Sequence, residues 1–234
     1  MKKTILFFVM MFLCPKVSLA EYPSPDFFKD DFGYCILGSG LVITVCVGSG
    51  DIVIPEIVEY QGKEYYVKGI FNEAFWQHSQ LTSISFPNSV TYIPDYCLWN
   101  CSGLTSVKIG NYVTTIGEQA FAGCSSLTSI TIGTELKSIG HNAFGGCDNL
   151  NNVKVSITDY ASFCENKALG CISSSLGKPV QLINEDGTEI KEYVVPEGVT
   201  SIGSCAFNNC SGLTSITIPN SVTNIGGGAF VGCI

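Results

Sequence analysis

The chain contains no arginine, only two histidines and only two tryptophans, and 14% of its residues are charged. Without arginine there are no planar forks for phosphate, and the lysines form no basic patch, so nucleic acid is not an expected partner. With 12 lysines against 20 acidic residues, an anionic membrane surface is an equally poor partner. With His78 and His141 as the only imidazoles, and no GxSxG or HExxH string, there is little from which to build a nucleophile–base pair or a zinc protease site. After residue 20 no apolar run approaches the roughly 20 residues of a membrane helix; Leu41 to Val47 is the nearest and is strand-length.

What is present begins with a leader. Lys2 and Lys3 precede the short apolar run Ile5 to Leu13, and Ser18-Leu19-Ala20 offers small residues where a signal peptidase reads. Residues 1–20 are therefore expected to be a signal peptide cleaved after Ala20. Leu13 before Cys14 is wrong for a lipid anchor. Three of the twelve lysines lie in the leader and all twenty acids follow it, so nine against twenty leaves the exported portion at a formal −11.

Internal repetition governs the remainder. Leu81 opens LTSISFPNSVTYIPDYCLWNCSG, Leu104 opens LTSVKIGNYVTTIGEQAFAGCSS, Leu127 opens LTSITIGTELKSIGHNAFGGCDN, and Leu213 opens LTSITIPNSVTNIGGGAFVGC. The first three starts are 23 residues apart, and 23 residues before Leu213 stands Ile190. A sustained period of this length marks a leucine-rich-repeat solenoid. Within a unit, Leu127, Ile130 and Ile132 alternate with Thr and Ser, as a short strand with one apolar side requires. Pro87, Gly133 and Pro219 break that strand; Val113 to Ile116 reads as a second one, Gly117 ends it, and Ala120-Phe121 enters a helical turn. A single coil cannot cover its two flat apolar faces, so the stack is the folding unit. The expected fold is a right-handed leucine-rich repeat solenoid of about six coils, β-rich, with short helical turns.

The string LTSITIPNSVTxIGxxAFxxCSG resembles the leucine-rich repeat of the BspA type, and the similarity covers residues 58 to 234 apart from one interruption. That resemblance implies an exported or surface protein of the kind found in host-associated bacteria, with roles in adhesion and in binding host extracellular proteins. It is specific for fold and does not name a ligand. The implied organisation is residues 1–20 signal peptide, 21–57 an N-terminal β cap, 58–149 repeats, 150–189 an interruption, and 190–234 repeats again. In the cap, Tyr34 to Val47 and Asp51 to Ile57 read as strands, and Gln61-Gly62-Lys63 as the turn of a following hairpin. In the interruption, Ile157 to Leu169 reads as a helix, and Asn184-Glu185-Asp186-Gly187 as a hairpin turn, with a curvature-changing spacer the simplest role. The last coil ends at Cys233-Ile234 with no polar cap, so more chain or a second molecule is expected to cover it.

Cys101, Cys124, Cys147, Cys210 and Cys233 share one repeat position, read as a column of buried thiols. Cys35 with Cys46, and Cys164 with Cys171, are the better disulfide candidates, since export permits bridges. Cys97, Cys101 and His78 have a spacing that evokes zinc, yet His78 is accounted for as filler of the same repeat position, so no metal and no cofactor is expected. The binding residues expected are Thr105, Ser106 and Lys108 with Thr128, Ser129 and Thr131, which stacking aligns into a polar sheet face, and Trp76 with Trp99, 23 residues apart, near Tyr92, Tyr96 and Tyr112. No enzymatic activity is expected. The function expected is adhesion or protein–protein interaction at the bacterial surface, with extracellular or host proteins as partners. The alternative is a carbohydrate-binding accessory protein that takes glycans on the tryptophan face.

Overall fold

The computed structural model describes residues 24–165, Ile172 and 176–233. The leader and Cys171 lie outside the described residues. The first part holds β1 (Phe27–Lys29), β2 (Phe32–Leu37), β3 (Gly40–Cys46), β4 (Gly50–Val53), β5 (Ile57–Tyr60) and β6 (Lys63–Ile70). Each following coil gives a longer and a shorter strand: β7 (Leu81–Ser85) and β8 (Tyr92–Ile93), β9 (Ser106–Lys108) and β10 (Thr115–Ile116), β11 (Ser129–Gly133) and β12 (Ser138–Ile139). After β13 (Asn152–Ser156) comes helix α1 (Tyr160–Glu165), then β14 (Val180–Ile183), β15 (Glu192–Val194), β16 (Ser201–Ile202), β17 (Ser215–Thr217) and β18 (Asn224–Ile225).

The cap is a five-stranded sheet in the order β1-β2-β3-β6-β5. It curls until its edge strands meet: Phe27 stacks on Tyr60 at 3.8 Å, and Lys29 Nζ donates to the Glu59 carbonyl at 2.8 Å. Closing a sheet in this way shields edges that would otherwise pair with another chain. The segment read from sequence as one strand, Tyr34 to Val47, is two, because Gly38, in the left-handed region at φ 61°, turns the chain back. Gln61 and Gly62, at φ 52° and 75°, make the tight turn between β5 and β6, with Tyr60 facing Lys63.

The solenoid has about eight turns, two more than the roughly six counted from the consensus. Its long strands form a parallel six-stranded sheet, β14-β13-β11-β9-β7-β4, followed by the pair β15-β17. Two rungs escape the consensus. Strand β4 pairs in parallel with β7, and β14 pairs in parallel with β13 through Val153 opposite Val180 and Val155 opposite Leu182. Inward apolar alternation is enough for a rung, even where the LTS string is lost. The turn at Asn184 to Gly187 forms, with Asn184 N–H donating to the Thr188 carbonyl at 2.8 Å, but its antiparallel pairing is confined to Ile183 and Glu189. Strand β15 then pairs with β17 instead. Helix α1 stands where a short strand would be: the Cys164 carbonyl accepts the Gly203 N–H at 2.7 Å and links across to the next coil.

The core is one continuous cluster running from Phe27 in the cap to Ala229 in the last coil. Leu81, Leu104 and Leu127 are fully buried, as are Ile93 and Ile116. Phe121 and Phe144 stack at 5.1 Å and 1°, so one coil's ring is the next coil's floor. The coils turn around an Ala-Phe pair, or Cys97-Leu98 in one of them, through two residues in the left-handed region: Tyr96 and Asn100, Gln119 and Gly123, Asn142 and Gly146, Cys205 and Asn209.

Candidate interaction face

The six-stranded ladder presents two outward columns of side chains. Register aligns Asp51, Ser83, Ser106, Ser129 and Asn152 in one, and Val53, Ser85, Lys108, Thr131, Lys154 and Gln181 in the other. The residues between them point inward and are buried, as Val107, Ile130 and Val153 show. Lys108 is exposed, and Ser106, Ser129 and Thr131 are partly so. The result is a flat, mainly polar face, with Val53 exposed at one end and only Asp51 and the two lysines charged.

Thr105 and Thr128 stand beside this face in a further column, and the structure gives them a structural task. Thr105 Oγ1 donates to the Thr82 carbonyl at 2.9 Å, and Thr128 Oγ1 donates to the Thr105 carbonyl at 3.1 Å. The same bond recurs from Thr214 to Lys191. Each hydroxyl ties one coil to the one before it, satisfying a carbonyl near the strand start. At the N-terminal end, Asp51 accepts from Ser83 Oγ at 2.7 Å and Thr82 Oγ1 at 2.8 Å; these two bonds hold its carboxyl below the usual carboxylate range.

Trp76 and Trp99 are brought together on the turns at Ala74-Phe75 and Cys97-Leu98, away from the ladder. Their rings stack at 5.7 Å with an interplanar angle of 17°, and both are half-buried. Tyr96 sits at φ 56° in the turn before Trp99, while Tyr92 and Tyr112 are exposed, with Tyr92 donating to Asp95 Oδ1 at 3.3 Å.

The cysteine column is built as a hydrogen-bonded spine. Cys101, Cys124, Cys147 and Cys233 each donate from Sγ to the carbonyl 26 residues earlier, at 2.9, 3.2, 3.2 and 2.9 Å. Burial raises the Cys101 thiol to about 12, and raises that of Cys210 further. Such thiols stay protonated and unreactive. The Cys35–Cys46 bridge is not formed. Cys35 lies opposite Val42 and Cys46 opposite Phe32, which separates them by roughly 13 Å of strand at about 3.3 Å per residue. Cys35 instead donates to the Ser24 carbonyl at 3.2 Å. Cys164 is buried and its Sγ donates to the Tyr160 carbonyl at 3.3 Å; its suggested partner Cys171 lies outside the described residues. His78 is partly buried in the degenerate first coil, and burial lowers its pKa below the ordinary histidine value. Among the described residues no three His, Cys, Asp or Glu side chains gather as metal ligands, and no helix is long and apolar enough to cross a membrane.

Residues 66–173 and 185–234 match the BspA type leucine-rich repeat region, in six copies. Similar solved structures include a leucine-rich repeat protein from Bacteroides ovatus, with 21% identity over 89% of this chain and 80% of that one and a TM-score of 0.49. A T. pallidum leucine-rich repeat protein is 26% identical over 87% of this chain and 86% of that one, with a TM-score of 0.48. A leucine-rich cell surface protein from Faecalibacterium prausnitzii is 21% identical over 90% and 74%, with a TM-score of 0.44. These TM-scores all lie below 0.5, so the superpositions are partial. No curated protein matches the chain.

Proposed function

Because the chain belongs to the BspA-type leucine-rich repeat family, we propose that it is an exported surface module that binds extracellular or host proteins through the outward face of its six-stranded ladder. One observation supports this most directly. The first outward column runs across five rungs and the second across six, from β4 to β14, with only three charged side chains between them. At about 4.8 Å per rung the face is roughly 24 Å long, and strands of about five residues make it roughly 16 Å wide. That is roughly 380 Å², about half of the roughly 800 Å² per partner in a standard interface, so the turns that flank the ladder would supply the rest. Ser and Thr project little side-chain entropy to be lost on binding. The leader at Lys2 to Ala20 supports export. The thiol spine is compatible with an oxidising exterior, since Cys101, Cys124, Cys147 and Cys210 are buried and burial raises the Cys101 and Cys210 thiols.

The test is binding of the chain from Glu21 onward to an array of extracellular-matrix proteins and mucins, repeated with Ser106→Lys and Ser129→Lys. Both substitutions point outward, so the fold should survive them. Saturable binding that either lysine weakens is the expected result. Binding indifferent to both, or none by a folded monomeric chain, would remove the ladder face from consideration.

A further inference from the structure

The cap carries a second outward surface, on the side of its sheet that faces away from the core. In β5 and β6 the buried Val58 and Val67 point inward, so Ile57, Glu59, Glu64, Tyr66 and Lys68 point outward. Register extends this side across two more strands. Leu37 lies opposite Gly40, Gly40 opposite Tyr66, and Tyr66 opposite Ile57, so one row of residues crosses β2, β3, β6 and β5. At about 4.8 Å between strands the row is roughly 14 Å long.

This row is apolar and open to solvent. Leu37 is 64% exposed, Tyr66 49% and Ile57 42%. Gly40 contributes no side chain, and the methylenes of Lys68 lie in its place: a Cβ at Gly40 would stand 2.9 Å from Lys68 Cδ. The Lys68 ammonium is turned aside to Ser39 Oγ at 3.5 Å. A leucine, a lysine stem, a tyrosine ring and an isoleucine thus form one strip, of the kind that marks a protein contact.

The next outward row carries charge of one sign. Glu59 lies directly opposite Glu64, and both are exposed. Like charges placed in this way on neighbouring strands repel. Among the described residues neither carboxylate forms an ion pair. Lys29 Nζ donates instead to the Glu59 backbone carbonyl at 2.8 Å. A cation brought by a partner converts that repulsion into two attractions.

We propose that this side of the cap docks an extended protein segment in which a large apolar side chain is followed two residues later by lysine or arginine. Tyr66 and Glu64 are two residues apart on β6, about 6.6 Å, and an extended partner repeats that spacing between its own same-side residues. The apolar side chain rests on Tyr66 and Ile57, and the cation reaches between Glu59 and Glu64. None of these residues belongs to the ladder, so this proposal and the ladder reading stand or fall separately.

The chain from Glu21 onward is mixed with a fluorescein-labelled Leu-Thr-Lys-Thr-Leu-Thr-Lys peptide, whose threonines favour an extended form, and anisotropy is followed. Saturable binding with a submillimolar Kd is expected, weakening as salt rises from about 50 to about 300 mM. Glu59→Gln with Glu64→Gln should weaken it about fivefold, the worth of two exposed ion pairs. Tyr66→Ser should weaken it about tenfold or more. Asp148→Asn with Glu197→Gln removes the same charge far from the cap and should leave binding unchanged. In the free chain Glu59→Gln should leave the urea midpoint equal or higher, because it ends a repulsion. The proposal is overturned by no binding, or by equal binding of peptides with Glu for Lys or Ser for Leu. Indifference to the Glu59, Glu64 and Tyr66 changes, or a lowered urea midpoint for Glu59→Gln, would overturn it as well.

Discussion

Replacing Gly140 with alanine tests the coil spacing more sharply than any change to an apolar side chain. A Cβ at Gly140 would stand 2.5 Å from the Glu118 nitrogen and 2.5 Å from the Gly117 carbonyl carbon, both backbone atoms of the preceding coil. Those atoms cannot swing away as a side chain would. The two coils are pinned on either side by Lys137 N–H to the Thr114 carbonyl at 2.7 Å, Gly140 N–H to the Ile116 carbonyl at 2.7 Å, and Gln119 N–H to the His141 carbonyl at 3.1 Å. Relief requires opening the coils by nearly 1 Å and stretching at least one of these bonds. Overpacking costs about 1–3 kcal/mol, and a lost hydrogen bond about 1 kcal/mol. The restricted unfolded chain returns about 0.4–1 kcal/mol. The net expectation is a destabilisation of about 2–3 kcal/mol, read from urea unfolding followed by far-UV circular dichroism. Gly227→Ala is the control: nothing lies within 4 Å of its added Cβ, so it should be neutral or slightly stabilising. Gly117→Ala places its Cβ 2.5 Å from the Asp95 nitrogen and should repeat the Gly140 result one coil earlier. A Gly140→Ala variant within about 0.5 kcal/mol of the parent, the ordinary scatter of surface changes, would refute the close approach.

Three other outcomes are expected. Cys124→Ala removes a fully buried sulfur and its bond to the Leu98 carbonyl, and should cost about 1–3 kcal/mol in the same unfolding assay. Alkylation of the native chain with iodoacetamide, mapped by mass spectrometry, should mark half-exposed Cys205 first; Cys46 and Cys101, whose thiols burial raises to about 12, should react only after unfolding. The carboxyl of Asp186 is held low by the Thr188 N–H at 2.9 Å and the Thr188 hydroxyl at 2.7 Å. Its folded pKa thus lies below its unfolded value, so it adds stability to the turn above the unfolded pKa and loses it as pH falls through the folded one. A carboxyl NMR titration should place Asp186 below the ordinary aspartate value of about 3.9, and Thr188→Val should raise it.

Much of the architecture was legible because it is periodic. A 23-residue recurrence of LTS, an inward Ile or Val, and Ala-Phe forces one coil to repeat another, and register then follows without further information. The stacked placement of Trp76 and Trp99 came from the same arithmetic. The rungs β4 and β14 were harder to see, since Asp51-Ile52-Val53 and Val180-Gln181-Leu182 carry the alternation without the consensus. The pairing of Cys35 with Cys46 failed for a related reason: proximity in sequence says nothing about the turn at Gly38, which sets each cysteine opposite an apolar residue.

The sequence by itself determined the kind of object this is: a stack of short coils with apolar interiors, polar outward strand positions and a column of thiols. Repeated local patterns suffice for that, because each coil's neighbours are copies of itself. Tertiary structure decided whatever depends on residues far apart or on hydrogen bonds between columns. It curled the cap so that Phe27 meets Tyr60, and it turned the Thr105 and Thr128 hydroxyls into ties between coils. Those outcomes depend on the directions in which side chains leave the backbone, and direction is fixed only once the coils are stacked.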